Sequence, residues 1–246
     1  MSIGLKLNLQ ENRLLLFIDI FGFGKIVEDN VSINDETKNK IYTDFCANYK
    51  NIIEQSFCDD KIKLTWVSDT VMASTELCNS EQLLKSYAEF AERLFYTLDI
   101  IVRGAIVVGA LNHDTNIIGT SVNEAAYLEK KKAKYPRVIV SKESLAKMRI
   151  ASNHNFYDYL VVAEAELTGY YYFDFAKFAL ERTLKLDPMP VVSRLKTGYN
   201  TIKHYCDGAN EENRHKVEWL ATEWARAIKN NIEPLLKPLI PKLMDL

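Results

Sequence analysis

No apolar stretch in this chain is long enough to cross a bilayer, and its opening residues, MSIGLKLNLQENR, lack the features of a secretory leader. The four cysteines, Cys46, Cys58, Cys78 and Cys206, show no CxxC spacing and the four histidines are scattered, which argues against zinc and disulfides and for buried thiols. No basic run suggests a nucleic-acid or membrane partner, and a formal net charge of −2 gives no electrostatic pull toward either. There is no internal repeat and no low-complexity segment. What these absences leave is a protein expected in the cytoplasm. At 246 residues, 48% hydrophobic and 26% charged, it can bury one good core and carry an appendage.

Against that background one stretch stands out, RLLLFIDIFGFGK at 13–25. The apolar residues from Leu14 to Ile18 read as a buried strand, and Asp19 sits near its exit. A buried carboxylate is normally protonated, paired or bound to a metal. After it, Phe21-Gly22-Phe23-Gly24 lets the backbone turn tightly and bring its N–H groups close to an anion. A second acid lies in KIKLTWVSDTVMAST at 61–75, two apolar and β-branched runs broken so that Asp69 falls at the tip of a hairpin. If that hairpin pairs beside the first strand, the two carboxylates converge and repel unless a divalent cation lies between them.

These two segments resemble the metal-binding signature of the class III nucleotide cyclases, an Asp-Ile-x-Gly-Phe strand exit followed by a hairpin with a second Asp. Here Ser68 precedes Asp69 where the family usually has Gly. Two further segments agree: Arg103-Gly104-Ala105-Ile106 resembles the family's Arg-Val-Gly-Ile strand, and Gly119-Thr120-Ser121-Val122-Asn123 the opening of its helix with the catalytic Asn. The motifs keep family order over roughly 13–175. Ala125-Ala126-Tyr127-Leu128-Glu129 and a C-terminal segment containing Lys216-Val217-Glu218-Trp219-Leu220 are most similar to the pyrimidine cyclases of bacterial Pycsar anti-phage systems.

The resemblance implies that Asp19 and Asp69, with the carbonyl of Ile20, ligate two Mn2+ or Mg2+ ions. It implies that Phe21, Gly22, Phe23 and Gly24 hold phosphate oxygens, that Arg103 contacts the triphosphate, and that Asn123 positions the ribose. It further implies a homodimer with its sites at the interface, Asp19 and Asp69 coming from one chain and Asn123 from the other. The chain departs from the purine cyclases in three places: Thr65 replaces the Lys that reads the base, Asn116 replaces an Asp or Thr, and Tyr127 replaces the Arg four positions after the catalytic Asn. No Lys-Gly-Lys segment stands near Leu167-Thr168-Gly169. Tyr127 reads either as a residue that shrinks the pocket toward a pyrimidine or as a core aromatic. The expectation is UTP to cyclic UMP, made as a second messenger for an effector protein in anti-phage defence. Cytidylate cyclase is next, then a purine cyclase, then a non-catalytic nucleotide-binding or interaction module.

Helical spacing predicts helices over 41–57, 80–98 and 120–132, and one starting near Ser141 and Ser144. Strands are expected over 100–108, 137–140, 157–162 and 170–175, with polar loops or hairpins at 31–40 and 109–119. This order suits a ferredoxin-like α/β (α+β) sandwich over 1–187. Asp187-Pro188-Met189-Pro190 marks the start of a helical extension over 188–246, with helices over 193–206 and 211–232 and a short piece after Pro234. Within it Leu220, Trp224 and Ile228 form an apolar stripe that covers the same domain, stabilises a dimer or regulates it.

Overall fold

The structure, a computed structural model, describes residues 11–31, 35–164, 167–186, 188–209 and 211–231. Its first strand, β1 (Glu11–Ile20), is followed by two helices, α1 (Phe23–Asn30) and α2 (Glu36–Ser56). A hairpin of β2 (Lys63–Val67) and β3 (Thr70–Glu76) leads into α3 (Ser80–Leu98) and the long strand β4 (Val102–His113). These four strands lie in the order β2-β3-β1-β4, which with the intervening helices is a ferredoxin-like arrangement. The chain continues through β5 (Ile117–Ile118), α4 (Thr120–Lys131), β6 (Val138–Ser141), α5 (Lys142–Ala151), β7 (Leu160–Val162) and β8 (Tyr170–Phe173). Strands β6, β8 and β7 extend the sheet beyond β4, to which β6 pairs in parallel.

Strand β1 is apolar from Leu14 to Ile18 because it packs on both of its faces. Leu14, Leu16, Ile18 and Ile20 point into a core with Tyr49 and Ile53 of α2 and Leu84, Tyr87 and Phe90 of α3. Leu15 and Phe17 point the other way, toward Ala125 and Leu128 of α4. Only part of that second face is covered: Phe17 and Met72 are half-buried. Strand β1 is also flanked on both edges, its residues Arg13 to Asp19 pairing with β3 and Glu11 to Ile20 with β4.

Helix α2 starts earlier than its apolar spacing suggests. Asp35 accepts hydrogen bonds from the N–H groups of Thr37 and Lys38, so the polar segment before Ile41 is already helical from Glu36. Over 157–162 only Leu160–Val162 is strand, the preceding Asn155–Tyr159 forming a tight 3-10 turn. Two helices were not foreseen. One is α1. The other is α6 (Phe175–Leu186), which Asp174 starts by accepting from the N–H of Lys177.

Helices α7 (Pro188–Gly208) and α8 (Glu211–Asn231) follow. The expected piece after Pro234 lies outside the described residues. The stripe residues Leu220 and Trp224 are buried with Val217, Ile202, Leu180 and Ala176 against Phe21, Phe95 and Ile101 of the sheet domain. Trp219 turns to the opposite side, donating to Glu164 at 2.8 Å and stacking on Tyr135 with ring centroids 5.1 Å apart.

Gly104 sits where β4 crosses β1, and a Cβ there would collide with the backbone carbonyl of Phe17. Neither backbone can give way without breaking the ladder. Gly104→Ala is therefore expected to cost about 3 kcal/mol of stability, read as a shift of the urea midpoint with an unchanged slope.

Candidate active site

The antiparallel register brings the two sequence acids together. Asp19 on β1 lies opposite Thr70 on β3, so the preceding residue, Asp69, reaches the same end of the sheet from the hairpin tip. The tip turns tightly through Ser68, whose φ of 57° is left-handed. Tyr49 of α2 steadies it, its hydroxyl donating to the backbone carbonyl of Asp69 at 3.4 Å. Asp19 is partly buried, and its pKa is pushed up to about 7. Burial is the main cause, followed by the charge of Asp69 and then of Glu129, with Arg103 partly offsetting them.

Arg103, opposite Asp19 on β4, lies between two acids. Its Nη2 is 3.4 Å from Asp19 Oδ2, and its Nε is 2.6 Å from Glu129 Oε1 in an ion pair that misses a hydrogen-bonding angle. Burial, the largest influence on Glu129, raises its pKa despite the guanidinium. The site is thus a row of alternating charge, Glu129, Arg103 and Asp19, closed by the like charge of Asp69.

The glycine turn follows directly. Gly22 is left-handed at φ 82° and caps α1, so the helix starts with unpaired N–H groups at Phe23 and Gly24. The N–H of Phe21 is engaged by the carbonyl of Ile101 at 3.0 Å, which corrects the expectation that all four residues offer a donor. The turn is gripped from behind by the C-terminal helices. Phe21 packs on Tyr205 with centroids 6.2 Å apart, and Lys25 donates to the carbonyl of Gly208 at 3.0 Å. A cavity of about 660 Å³ opens beside these contacts, between Phe45, Leu98, His204 and Val217.

The other expected residues separate into two places. Asn123 is exposed in the first turn of α4 and makes no side-chain hydrogen bond to the described residues. It lies six residues before Glu129, roughly 9 Å along the helix. Tyr127 is 56% exposed, which excludes the core-aromatic reading. Thr65 is on β2, hydrogen-bonded to His113 at 3.0 Å, and Asn116 is exposed in the turn just beyond His113. Sequence reasoning missed Glu129, Tyr49 and His113 as parts of the site. For Glu129 a signal exists: it sits four residues after the buried Ala125, a charge on the apolar face of its helix.

No protein-family model and no curated protein matches this chain. Among solved structures it is similar to a bacterial light-regulated adenylyl cyclase, at 14% identity over 67% of this chain and 52% of that one, with a TM-score of 0.45. It is also similar to the adenylyl cyclase CyaB from P. aeruginosa, at 18% identity over 68% and 96%, with a TM-score of 0.46. A third is an adenylate/guanylate cyclase/hydrolase from Silicibacter pomeroyi, at 16% identity over 66% and 94%, with a TM-score of 0.44. The chain spans about half the length of the first of these. At such distance the likeness carries no weight of its own, and the strand order of the chain itself places the fold.

The residues present suit a hard divalent cation. Asp19 and Asp69 offer oxygen donors, Ile20 ends the strand beside them, and a cation would offset both the burial of Asp19 and the charge of Asp69 that together raise its pKa. Among the described residues no three His, Cys, Asp or Glu side chains group around a single ion position, so the two carboxylates carry the protein's share of the charge.

Crowding of the two acids has a measurable cost in the metal-free protein. Between the free carboxyl value near 3.8 and the folded value of about 7, the folded state holds more protons, so stability is complete at low pH and falls as pH rises. The expected loss, after allowance for partial solvation of Asp19, is about 2 kcal/mol, read by thermal unfolding in EDTA. Asp69→Asn is expected to flatten this dependence and raise the melting temperature at pH 7, while abolishing the stabilisation that Mn2+ gives the unmodified protein.

Proposed function

We propose that the chain is a nucleotide cyclase that converts a pyrimidine nucleoside triphosphate, UTP before CTP, to its 3′,5′-cyclic monophosphate and pyrophosphate. The observation that carries this reading is the meeting of Asp19 and Asp69, one from a strand end and one from a hairpin tip, beside a turn with free N–H groups. An acid pair of this kind next to an anion cradle suits a polyphosphate held with divalent cations, Mn2+ or Mg2+.

Asp19, Asp69 and the carbonyl of Ile20 hold the cations. When bound, these lower the pKa of the ribose 3′-hydroxyl and offset the charge of the departing pyrophosphate. The N–H groups at the start of α1 receive phosphate oxygens, helped by the positive end of the helix. Arg103 supplies a fixed cationic contact to the triphosphate, its guanidinium set in place by Glu129 on one side and Asp19 on the other. The motif resemblance supports a ribose contact from Asn123 of the partner subunit. The half-covered sheet face bearing Phe17 and Met72, with the exposed Val67 and Tyr127 on the same side, is the surface on which a second copy sits. The product acts as a second messenger for an effector protein in anti-phage defence, a role supported by the motif resemblance alone.

Incubation with each of the four nucleoside triphosphates and Mn2+ or Mg2+, followed by chromatography, tests the activity. A cyclic pyrimidine product is expected, with ATP and GTP poorly used. Asp19→Ala and Asp69→Ala are expected to abolish turnover, and Arg103→Ala to lower kcat/KM on the order of 10²–10³-fold. Failure of all four nucleotides, with nucleotide binding untouched in Asp69→Ala, would leave only a binding module. Light scattering is expected to show a dimer, and an active monomer would contradict the shared site.

A further inference from the structure

A groove of about 430 Å³ runs between helices α7 and α8 and plays no part in the acid site. Each helix lends it residues at i, i+3, i+4 and i+7, from Tyr199 to Cys206 on α7 and from Ala221 to Ile228 on α8. The groove therefore follows one face of each helix for two turns, about 10 Å. Ile202 and Trp224 are buried and form its floor, whereas Ala225 is exposed and Tyr199 is 61% exposed at its rim. Lys203 is the one charged residue among the described residues that line it.

The chain itself carries a matching segment. Residues 232–246, IEPLLKPLIPKLMDL, follow α8 and lie outside the described residues. Eight of these fifteen are Leu, Ile or Met, and Leu235-Leu236, Leu239-Ile240 and Leu243-Met244 fall in pairs four apart, so the segment gains by finding apolar cover. It starts within reach. Ile228, at one end of the groove, is three residues before Asn231, about 4.5 Å back along the helix, while the four residues to Leu235 span up to roughly 13 Å. Pro234 favours a break in direction at that point. A second copy of the chain fits less well. The strip is on the order of 100 Å², about 10 Å long and one helix pair wide, against ~800 Å² per partner in a stable interface. A tethered segment needs no such area, because a linker as short as 232–234 holds it at roughly millimolar effective concentration.

We propose that the segment 235–244 of the same chain seats in the α7–α8 groove, its paired apolar residues covering Trp224 and Ile202 on the floor and Tyr199 at the rim. The tail is then a further layer over the helices that hold the glycine turn. Tyr205, next to Cys206 of the groove wall, packs on Phe21, and the carbonyl of Gly208 receives Lys25. The seat goes beyond the proposed function and does not depend on it.

Photo-crosslinking in the full chain tests the seat. A benzophenone amino acid at position 239, irradiated and mapped by mass spectrometry, is expected to join residues between Tyr199 and Cys206 or between Ala221 and Ile228, in product that runs as a single chain on a denaturing gel. Links to any other region overturn the proposal, and so do links between two chains, which would make the occupant a second copy. Ala225→Glu places an unpaired charge in the groove and is expected to cut the yield of these links about tenfold. Asn230→Glu, the same change in charge on the same helix but off the groove, is expected to leave the yield as it was, and equal yields in the two variants overturn the seat. Should circular dichroism show that Ala225→Glu disturbs the helices, Leu236→Asp with the probe at position 240 carries the test from the tail, where no described residue is altered. A lower yield is expected there as well, and an undiminished one overturns the proposal.

Discussion

Repulsion between Asp19 and Asp69 is the constraint around which this end of the molecule is arranged. Left to themselves, two carboxylates this close would move apart or draw in water. They cannot, because β1 is tied along both edges and filled on both faces, and because Tyr49 holds the tip of the facing hairpin. The rigidity of an apolar strand is thus converted into electrostatic strain at its polar end. The pKa of Asp19 is raised accordingly, by its burial first and by the charge of Asp69 next.

Arg103 tempers that strain without removing it. Shared with Glu129, it gives only part of its charge to Asp19, and the four groups together remain two charges negative when all are ionised. A guanidinium pinned between two acids loses little rotational freedom on meeting a further anion, which suits it to a fixed contact with a polyphosphate. Glu129 is accordingly part of the arrangement, and its burial on α4 ties the position of that helix to the acid pair.

Much of this was legible from the chain alone, and the parts that were not share a cause. The apolar run ending in Asp19 and the break at Ser68-Asp69 are local signals, and their meeting followed from ordinary hairpin pairing. Helices α3 and α4 were plain in their apolar spacing. Helix α1 is only eight residues long and follows directly on a glycine turn, too short for periodicity to declare it. Helix α6 was hidden because its first residue, Phe175, prolongs the aromatic run of the strand Tyr170–Phe173, with only Asp174 between them. Glu129 and His113 acquire their roles from partners 26 and 48 residues away, Arg103 and Thr65, and no local pattern encodes that distance.

The grip of the C-terminal helices on the glycine turn has a structural corollary. Phe21 is buried on one side by Tyr205 and lies two residues from Asp19, so the tail backs the acid pair as well as covering the domain. Cutting the chain at the Pro188 boundary would strip solvent cover from Phe21, Phe95 and Ile101 together. The shortened protein would carry an oily scar immediately behind the acid pair, so any change of length or sequence in this tail would also alter the packing that backs Asp19.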